Sequence, residues 1–329
     1  MQKRTLGTTN FLVNPVGLGC MGFSHAYGAA TEKSEAIKTI RAAFELGYNF
    51  FDTAECYTGF NIDGSISFNE EIVGEALKDV RDHVVIATKF GVDHNPDRSL
   101  TLDSSPDTIR KSVDGSLKRL GVETIDLYYQ HRIDPQVEPE IVASVMNELI
   151  KAGKIRAWGI SEVNELYLRR AHKISPVSAI QNRYSLMARW HENLFPTLEE
   201  LKISFVAFSP LANGLLTGQF TKPQTFTDAA DYRSIMPQFT AEGLKKANDL
   251  LDLLNRLANE KNASPAQISL AWMLCKKHFI IPIPGSRKLS RLKENFGAGE
   301  ILLSPQELAD IDAKLDSMSF DIFGGSNSK

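Results

Sequence analysis

Phe50-Phe51-Asp52-Thr53-Ala54-Glu55-Cys56-Tyr57 is the stretch around which the rest of this 329-residue chain is organised. Its first residues are apolar and predict the end of a short buried strand, which stops at Asp52. The loop that follows carries Tyr57. A carboxylate at a strand end, with a phenol five residues later, suits proton chemistry. Because a phenol is a poor acid at neutral pH, Tyr57 needs a cation nearby.

Two later segments supply polar residues at equivalent places. Val84–Thr88 is an apolar strand that runs into Lys89, and Ile125–Gln130 is a strand that runs into His131. In a parallel α/β barrel the carboxyl ends of the strands converge on one face, where active sites lie. The candidate catalytic residues are therefore Asp52, Tyr57, Lys89 and His131.

Apolar strands alternate with amphipathic helices along the chain, which favours a parallel sheet. Eight strand–helix units predict a (β/α)8 TIM barrel, as a single domain over residues 1–329. The predicted strands are 16–19, 49–52, 84–88, 125–130, 155–160, 179–182, 205–208 and 280–283. The predicted helices are 32–46 (with Thr31 as cap), 69–78, 106–120, 139–152, 165–172, 190–201, 242–259, 265–277, 289–296 and one from 305.

Several segments lie outside the eight units. Thr5-Leu6 and Leu12-Val13 predict an N-terminal hairpin. The loops Phe90–Ser104 and Asn213–Thr240 are long and are predicted to lie at the C-terminal face, next to the site. The Gly/Ser-rich tail from Ser317 is predicted to be loose, or to fold over the mouth of the barrel.

Composition narrows the function classes. The net charge of −3 comes from 37 basic and 40 acidic residues, and the basic residues form no patch that would bind nucleic acid. No apolar run in the sequence is long enough to span a membrane. The three cysteines have neither metal-ligand spacing nor a disulfide pattern, so we expect no metal and a reduced, cytoplasmic chain. The oligomeric state stays open, a homo-oligomer included.

Gly17-Leu18-Gly19-Cys20-Met21-Gly22 matches the G-x-G-x-x-G dinucleotide fingerprint. That motif binds pyrophosphate when its glycines open a helix directly. Here a polar loop, residues 23–31, separates the glycines from the first predicted helix. We therefore reject a Rossmann site and interpret the glycines as a loose strand end.

Three motifs carry a resemblance to a known family. Phe51-Asp52-Thr53-Ala54…Tyr57, Ala87-Thr88-Lys89 and Tyr129-Gln130-His131 resemble the aldo-keto reductases, and the resemblance extends from Leu18-Gly19 to Glu294-Asn295. It is closer to the branch with a Gln-His-Arg run, which contains aldehyde reductases. The resemblance implies NADPH-dependent reduction of aldehydes or ketones, with NADP+ as the oxidised cofactor.

The resemblance also implies a role for each catalytic candidate. Tyr57 is the general acid that protonates the carbonyl oxygen. Lys89, held charged by Asp52, is expected to lower the pKa of Tyr57. His131 is expected to donate a hydrogen bond to the substrate oxygen.

The cofactor site implied by the resemblance is a second set of residues. Ser161 and Gln181 are expected to bind the nicotinamide carboxamide, and Phe208 to stack on its ring. Arg287 and Ser286 would bind a 2′-phosphate, which a guanidinium suits well, so NADPH is preferred to NADH. Within the set, Arg291 would stack on the adenine ring, and Glu294 and Asn295 would bind the amino edge of the adenine. The full set of expected cofactor-binding residues is Gly22, Ser161, Gln181, Phe208, Ser209, Pro210, Leu211, Gly214, Leu216, Gly218, Gly285, Ser286, Arg287, Arg291, Glu294 and Asn295.

The chain departs from the family pattern at three positions. Glu162 stands where many relatives have Asn, which removes one expected carboxamide contact. Phe208 replaces the commoner Tyr, so stacking survives without a hydroxyl. Gly285 stands where several relatives have Lys, so Arg287 must carry more of the phosphate binding.

Each candidate also has a structural interpretation. Asp52 can be a turn cap, and an Asp–Lys pair can be purely structural. Tyr57 can be a packed aromatic, His131 a buried polar residue, and Arg291 with Glu294 a solvated i,i+3 pair. Four suitable residue types at successive strand ends, in family order, favour the catalytic interpretation.

Two competing functions fit the same fold. A regulatory subunit would keep the cofactor site but act by association, and the chain shows no added segment for a partner. A Schiff-base aldolase would use Lys89 as a neutral nucleophile, which an adjacent Asp52 opposes.

The resemblance implies a small molecule with a carbonyl group as the substrate. The mouth of the barrel, where this substrate would enter, would be built from Phe23, Phe90, the loops and the tail. Arg132 could meet an anionic substrate or be structural.

Overall fold

The computed structural model describes residues 2–326 apart from residues 96, 98, 221, 224 and 229. Eight parallel strands form its centre, and consecutive strands are neighbours in the sheet. They are β1 (Leu18–Gly19), β2 (Phe50–Asp52), β3 (Val85–Phe90), β4 (Ile125–Gln130), β5 (Ile155–Ser161), β6 (Ala179–Arg183), β7 (Ser204–Phe208) and β8 (Ile280–Pro282). The amide of Gly17, next to β1, donates to the carbonyl of Pro282 in β8 at 3.0 Å. This bond joins the first strand to the last, and the predicted (β/α)8 barrel is confirmed.

Helices surround the strands. They are α1 (Lys33–Glu45), α2 (Asn69–Leu77), α3 (Pro106–Leu120), α4 (Pro139–Lys151), α5 (Glu165–Ile174), α6 (Phe195–Leu201), α7 (Ala241–Glu260), α8 (Pro265–Lys276), α9 (Leu289–Gly297) and α10 (Pro305–Asp316). The predicted capping boxes at Ser264 and Ser304 both form. The cap of α1 was predicted wrongly, because Glu32 rather than Thr31 accepts the first amide bonds.

The alternation of side chains along each strand separates two cores. Inward residues fill the barrel interior, among them Phe50, Ala87, Leu127, Tyr129, Ala179 and Val206. A second and larger cluster packs the outer faces of the strands against the helices. Since successive inward positions are two residues apart, the residue two places after an inward apolar side chain also faces the interior, at the C-terminal end.

The predicted N-terminal hairpin forms, with Arg4–Thr5 antiparallel to Leu12–Val13. Leu6 and Val13 are fully buried in the interior cluster, so the hairpin closes the bottom of the barrel. The Arg4 guanidinium donates to the carbonyls of Leu274 at 2.6 Å, Lys277 at 2.9 Å and His278 at 3.0 Å, and also to that of Ile280. These bonds satisfy the free carbonyls at the end of α8.

Two hairpins lie where no strand was predicted. Thr58–Phe60 pairs with Ile66–Phe68, and Val92–His94 pairs with Leu100–Leu102 inside the loop predicted over Phe90–Ser104. The first hairpin turns at Asp63-Gly64, where Gly64 has a φ of +82° that favours glycine. Both hairpins extend from the C-terminal face, beside the predicted site.

Three other predictions need adjustment. The helix predicted over 190–201 is a short 3-10 turn, Glu192–Leu194, followed by α6. The predicted loop Asn213–Thr240 contains the 3-10 segments Ala212–Thr217, Tyr232–Ile235 and Pro237–Phe239. The tail is packed as far as it is described, because Asp321–Ile322 pairs with Gly325–Ser326 and Ile322 is only 4% exposed. Residues 327–329 of the predicted tail lie outside the described residues.

Candidate active site

The strand ends bring the candidate catalytic residues together. Asp52 and Lys89 lie on inward positions, two residues after Phe50 and Ala87. Gln181 follows Ala179 in the same way on β6. The Lys89 ammonium is fully buried and donates to three oxygens: Asp52 Oδ1 at 2.5 Å, Thr53 O at 2.7 Å and Tyr57 Oη at 3.2 Å. A single cation therefore connects the carboxylate to the phenol.

The environment of Lys89 favours its charged form. Burial disfavours an ammonium, but the Asp52 carboxylate and the Tyr57 oxygen outweigh burial and raise the pKa of Lys89. Burial acts on Asp52 in the opposite sense to its partners, since desolvation raises the pKa of the carboxyl while Lys89 and Gln181 lower it. Both Asp52 oxygens accept hydrogen bonds, one from Lys89 and one from Gln181 Nε2 at 2.7 Å. This geometry fits an ion pair.

Tyr57 is held by contacts with its backbone. Its carbonyl accepts from Ser24 Oγ at 2.9 Å and from the amide of Asn69, at the start of α2, at 3.1 Å. Its ring is 8% exposed, and burial raises the pKa of its hydroxyl to about 12 although Lys89 acts to lower it. Lys89 therefore acts in the expected direction, while desolvation of the phenolate is the larger effect on the pKa of Tyr57.

His131 follows β4 and lies edge-on to Tyr57, with the ring centroids 5.7 Å apart. Its amide donates to the carbonyl of Phe90 at 3.0 Å, which fixes the backbone beside β3. Burial, assisted by Arg132 and Lys89, holds the pKa of the imidazole well below its usual range. His131 is therefore neutral at neutral pH and has one ring N–H to donate.

The sequence analysis did not predict two contacts in the site, one made by Cys56 and one made by Gln181. Cys56 packs against His131, with Sγ 3.4 Å from Nδ1. Gln181 was predicted to bind a carboxamide, and it also donates to Asp52. Cys56 directly precedes Tyr57 in the motif, but neighbours in sequence give no direction for a side chain. The alternation on β6 would have placed Gln181 inward.

The predicted nicotinamide-side residues lie near a pair of arginines. Ser161 is buried at the end of β5 and its Oγ accepts from Arg132 Nη1 at 3.0 Å. The guanidinium carbons of Arg132 and Arg183 lie 5.9 and 4.8 Å from the ring centroid of Phe208. Glu162, the departure from the family pattern, accepts the backbone amide of Arg183 at 2.8 Å.

The loop after β7 has an unusual backbone. Ser209, Ala212 and Asn213 have φ values of 49°, 47° and 59°, and Gly214 and Gly218 have φ values of 102° and 73°. Ala212, Asn213 and Gly214 are therefore three consecutive residues in the left-handed region, an irregular loop backbone whose amides are not all used within a regular helix. The other predicted members, Pro210, Leu211 and Leu216, lie within this loop, and Leu216 is fully buried.

The segment after β8 carries the predicted phosphate residues. A Cβ on Gly285 would lie 2.6 Å from the carbonyl of Gly19, so this position has no room for the lysine of other family members. Arg287 donates from Nε to the carbonyl of Gly22, and its buried Nη2 has no hydrogen-bond partner among the described residues. An unsatisfied buried guanidinium nitrogen fits a ligand phosphate. Ser286 Oγ accepts the amide of Lys288 at 3.1 Å.

Helix α9 holds the predicted adenine residues. Arg291 and Glu294 form an i,i+3 ion pair with side chains 31% and 19% exposed, and Asn295 is buried. The pair exists as its structural interpretation requires, but it is partly buried rather than fully solvated. The structure is therefore compatible both with adenine binding by Arg291 and Glu294 and with a purely structural ion pair.

A bridge between two loops covers Arg287. Tyr27 pairs with Asp231, and the amide of Tyr232 donates to the carbonyl of Ala26 at 3.0 Å. Asn213 Nδ2 donates to the Tyr27 hydroxyl at 3.0 Å. The loop after β7 is thereby fastened across the C-terminal face to the loop after β1.

Within residues 2–326, leaving aside the five undescribed positions, no helix is long and apolar enough to cross a membrane. The same residues contain no group of three or more His, Cys, Asp or Glu side chains placed to hold a metal ion.

Comparison with known proteins gives a consistent result. A family model described as "Aldo/keto reductase family" matches residues 15–316. The chain is 38% identical over 313 residues to a probable aldo-keto reductase 1 from Glycine max, covering 94% of this chain and 88% of that protein. It is 37% identical over 311 residues to an aldo-keto reductase from Strobilurus tenacellus, covering 91% and 88%. Among solved structures, a glycerol dehydrogenase from Gluconobacter oxydans matches with a TM-score of 0.84 and 28% identity, covering 96% of each chain.

Proposed function

Since the chain belongs to the aldo/keto reductase family, whose members are oxidoreductases that use NAD(P)H, we propose that it reduces aldehydes and ketones to alcohols with NADPH. The observation that carries the proposal is the Lys89 ammonium, which bonds Asp52 and Tyr57 together. We propose this activity for one barrel domain spanning residues 1–329. The cytoplasmic location is also a proposal, supported by cysteines that are all unpaired.

Tyr57 and Lys89 would carry the proton transfer. When bound, reduced nicotinamide supplies a hydride to the carbonyl carbon. The Tyr57 hydroxyl gives its proton to the carbonyl oxygen, and the phenolate that remains is stabilised by Lys89, 3.2 Å away. Asp52 keeps Lys89 charged and aimed. In alcohol oxidation the same phenolate takes the proton back.

His131 would orient the substrate. It is neutral, so it can donate one N–H to the carbonyl oxygen without placing a positive charge next to Lys89. The two rings lie edge-on with their centroids 5.7 Å apart, so both donors would be within reach of one carbonyl oxygen. Two donors aimed at one oxygen fix where the carbonyl carbon lies.

The cofactor would extend from the barrel centre to α9. Ser161, Gln181 and Phe208 would hold the nicotinamide, and the loop that contains Ser209, Pro210, Leu211, Gly214, Leu216 and Gly218 would hold the pyrophosphate. Gly22, Gly285, Ser286, Arg287, Arg291, Glu294 and Asn295 would surround the adenosine. The unsatisfied Nη2 of Arg287 supports a 2′-phosphate, and hence NADPH over NADH.

The two alternatives are weaker. A Schiff-base aldolase needs a neutral Lys89, but three accepting oxygens surround that nitrogen and raise its pKa. Borohydride trapping of a substrate adduct on Lys89 would revive it. A regulatory subunit needs no intact proton relay, and the relay is intact. It would be favoured if the protein bound NADPH but turned over no carbonyl.

The direct test is NADPH consumption with a panel of small aldehydes and ketones, monitored by absorbance. We expect turnover with several aldehydes and formation of the matching alcohols. If NADPH binds and no alcohol forms from any of them, the reductase proposal is wrong.

A further inference from the structure

Arg183 is a buried cation without a counterion. It ends β6, it is 7% exposed, and its Nη1 has no hydrogen-bond partner in the part of the chain that the structure describes. Among the described residues no carboxylate oxygen lies within 4.0 Å of its guanidinium. Burying a charge without a partner destabilises the folded state. Such a group at a site entrance indicates that a ligand supplies the missing anion.

Glu162 is the acidic residue that acts most strongly on the charge of Arg183, but its carboxylate does not bind the guanidinium. Its Oε1 accepts the backbone amide of Arg183 at 2.8 Å and lies 3.9 Å from His191 Nε2. Burial lowers the pKa of the Arg183 guanidinium to about 10, so the group remains charged at neutral pH. The positive charge is therefore present and has no ion-pair partner within 4.0 Å among the described residues, although Glu162 attracts it from farther away.

The slot, as we call the surroundings of Arg183, is bounded by two aromatic rings and the tail. The guanidinium carbon lies 4.8 Å from the ring centroid of Phe208 and 5.7 Å from that of Phe323 in the packed tail. A Cβ placed on Gly324 would lie 3.1 Å from Arg183 Nε, so the tail covers this side closely. The two ring faces attract the guanidinium but offer Nη1 no hydrogen-bond acceptor, and a carboxylate is an acceptor that fits a guanidinium well.

Arg132 links the slot to the reacting groups. Its guanidinium lies 5.9 Å from the same Phe208 centroid, and its Nη1 donates to the carbonyl of His131 at 2.6 Å. His131 in turn lies against Tyr57. A chain of contacts thus runs from Arg183 through Phe208 and Arg132 to His131, which is proposed to bind the carbonyl oxygen. The residues suited to cofactor phosphates lie elsewhere, in the loop after β7 and at Arg287.

We propose that Arg183, with Arg132, binds the carboxylate of the substrate, so that the enzyme prefers aldehydes that carry a carboxylic acid group. This rests on the proposed reductase function and adds a substrate class to it. Arg183 acts in specificity, since it contacts the remote anion and not the reacting carbonyl.

The test compares two substrates of nearly the same shape, 4-formylbenzoate and the uncharged 4-formylbenzamide, at saturating NADPH. We expect the parent to show a kcat/KM about tenfold or more higher for the acid, as one charge-assisted pair predicts. Arg183→Met should bring this ratio toward one, and Arg183→Lys should give an intermediate ratio. Arg256→Met, which removes an exposed charge from α7, should leave the parent ratio unchanged.

Three results would overturn the proposal: a parent ratio near one, an equal loss on both substrates in Arg183→Met, or a raised Kd for NADPH in that variant. Binding of benzoate and benzamide, measured by calorimetry, keeps the test independent of turnover. Benzoate should bind the parent about tenfold more tightly than benzamide, and Arg183→Met should lose the difference. If the parent reduces neither aldehyde but still selects benzoate, the reductase function fails while the anion site stands.

Discussion

The Cys56 thiol lies against the imidazole of His131, with Sγ 3.4 Å from Nδ1. Burial raises the pKa of this thiol to about 12, so it keeps its proton. Burial also keeps His131 neutral, and a neutral imidazole has one donor and one acceptor nitrogen. A thiol that donates to Nδ1 leaves the N–H on Nε2, which can then point to the substrate oxygen.

We expect Cys56→Ala to shift His131 toward a mixture of tautomers and to lower kcat/KM several-fold. Cys56→Ser, which keeps a donor, should retain both the parent tautomer and most of the activity. Nitrogen-15 chemical shifts of the imidazole measure the tautomer directly. A parent spectrum with the proton on Nδ1 would contradict the assignment.

Tyr57→Phe should lower turnover by about 10²–10⁴-fold, because the general acid is removed. NADPH affinity should stay within about twofold, since the phenol is proposed to act on the carbonyl. Steady-state rates and fluorescence titration with NADPH measure the two effects. Tyr128→Phe is the matched control, because the Tyr128 hydroxyl is buried without a partner and faces the outer core. Equal turnover in Tyr57→Phe and the parent would remove Tyr57 from the mechanism.

The pH dependence of the two directions should differ. The acid form of Tyr57 exists below its pKa of about 12, so carbonyl reduction should be nearly flat between pH 7 and 9 and fall only as the pH approaches that value. Alcohol oxidation needs the phenolate, so its rate should rise with pH over the same range. Profiles of kcat/KM at saturating cofactor measure both. An alkaline limb near pH 8 in reduction would show that a different group donates the proton.

Arg287→Ala should raise the Kd for NADPH by about 10- to 100-fold and change that for NADH little, because only NADPH carries the 2′-phosphate. Equilibrium titration with both cofactors measures the difference. Lys293→Ala removes an exposed charge from α9 and controls for long-range electrostatics. Equal losses for both cofactors would show that Arg287 binds a part that they share.

Arg4→Met should destabilise the barrel by about 3 kcal/mol, since it leaves buried carbonyls at the end of α8 without donors. The midpoint of urea unfolding should fall with an unchanged slope. Lys3→Met, at an exposed neighbouring position, should leave the midpoint within error. If the two variants unfold alike, the carbonyl contacts contribute no net stability.

The barrel and the cluster of candidate catalytic residues could be predicted from the sequence because one rule governs both. Parallel strands buried on both faces give continuous apolar runs, and the polar residue that ends each run must face the interior or the loops. Asp52, Lys89 and His131 end such runs. The starts of α8 and α10 could also be predicted. Ser264 and Ser304 are each followed directly by proline and, three residues after the serine, by a glutamine or glutamate that completes the capping box.

What the sequence did not reveal depends on packing between distant segments. The pKa of Tyr57 is a balance of burial against Lys89, and the motif contains only the second of these. Arg183 resembles any arginine that follows a strand until Phe323, 140 positions later, covers it. The first unpredicted hairpin had its signal in Asp63-Gly64, but its strands are only three residues long and show no clear alternation.

The bonds from Arg4 to residues near position 280 also constrain how this chain matures in the cell. The contact from Arg4 to Ile280 spans 276 residues, so it must wait for almost the whole polypeptide to leave the ribosome. At about 5–20 residues per second, translation of that span takes roughly 14–55 s. Throughout that interval Leu6 and Val13 lack the barrel interior that later buries them. The nascent protein should therefore be a client of chaperones until its last strand emerges.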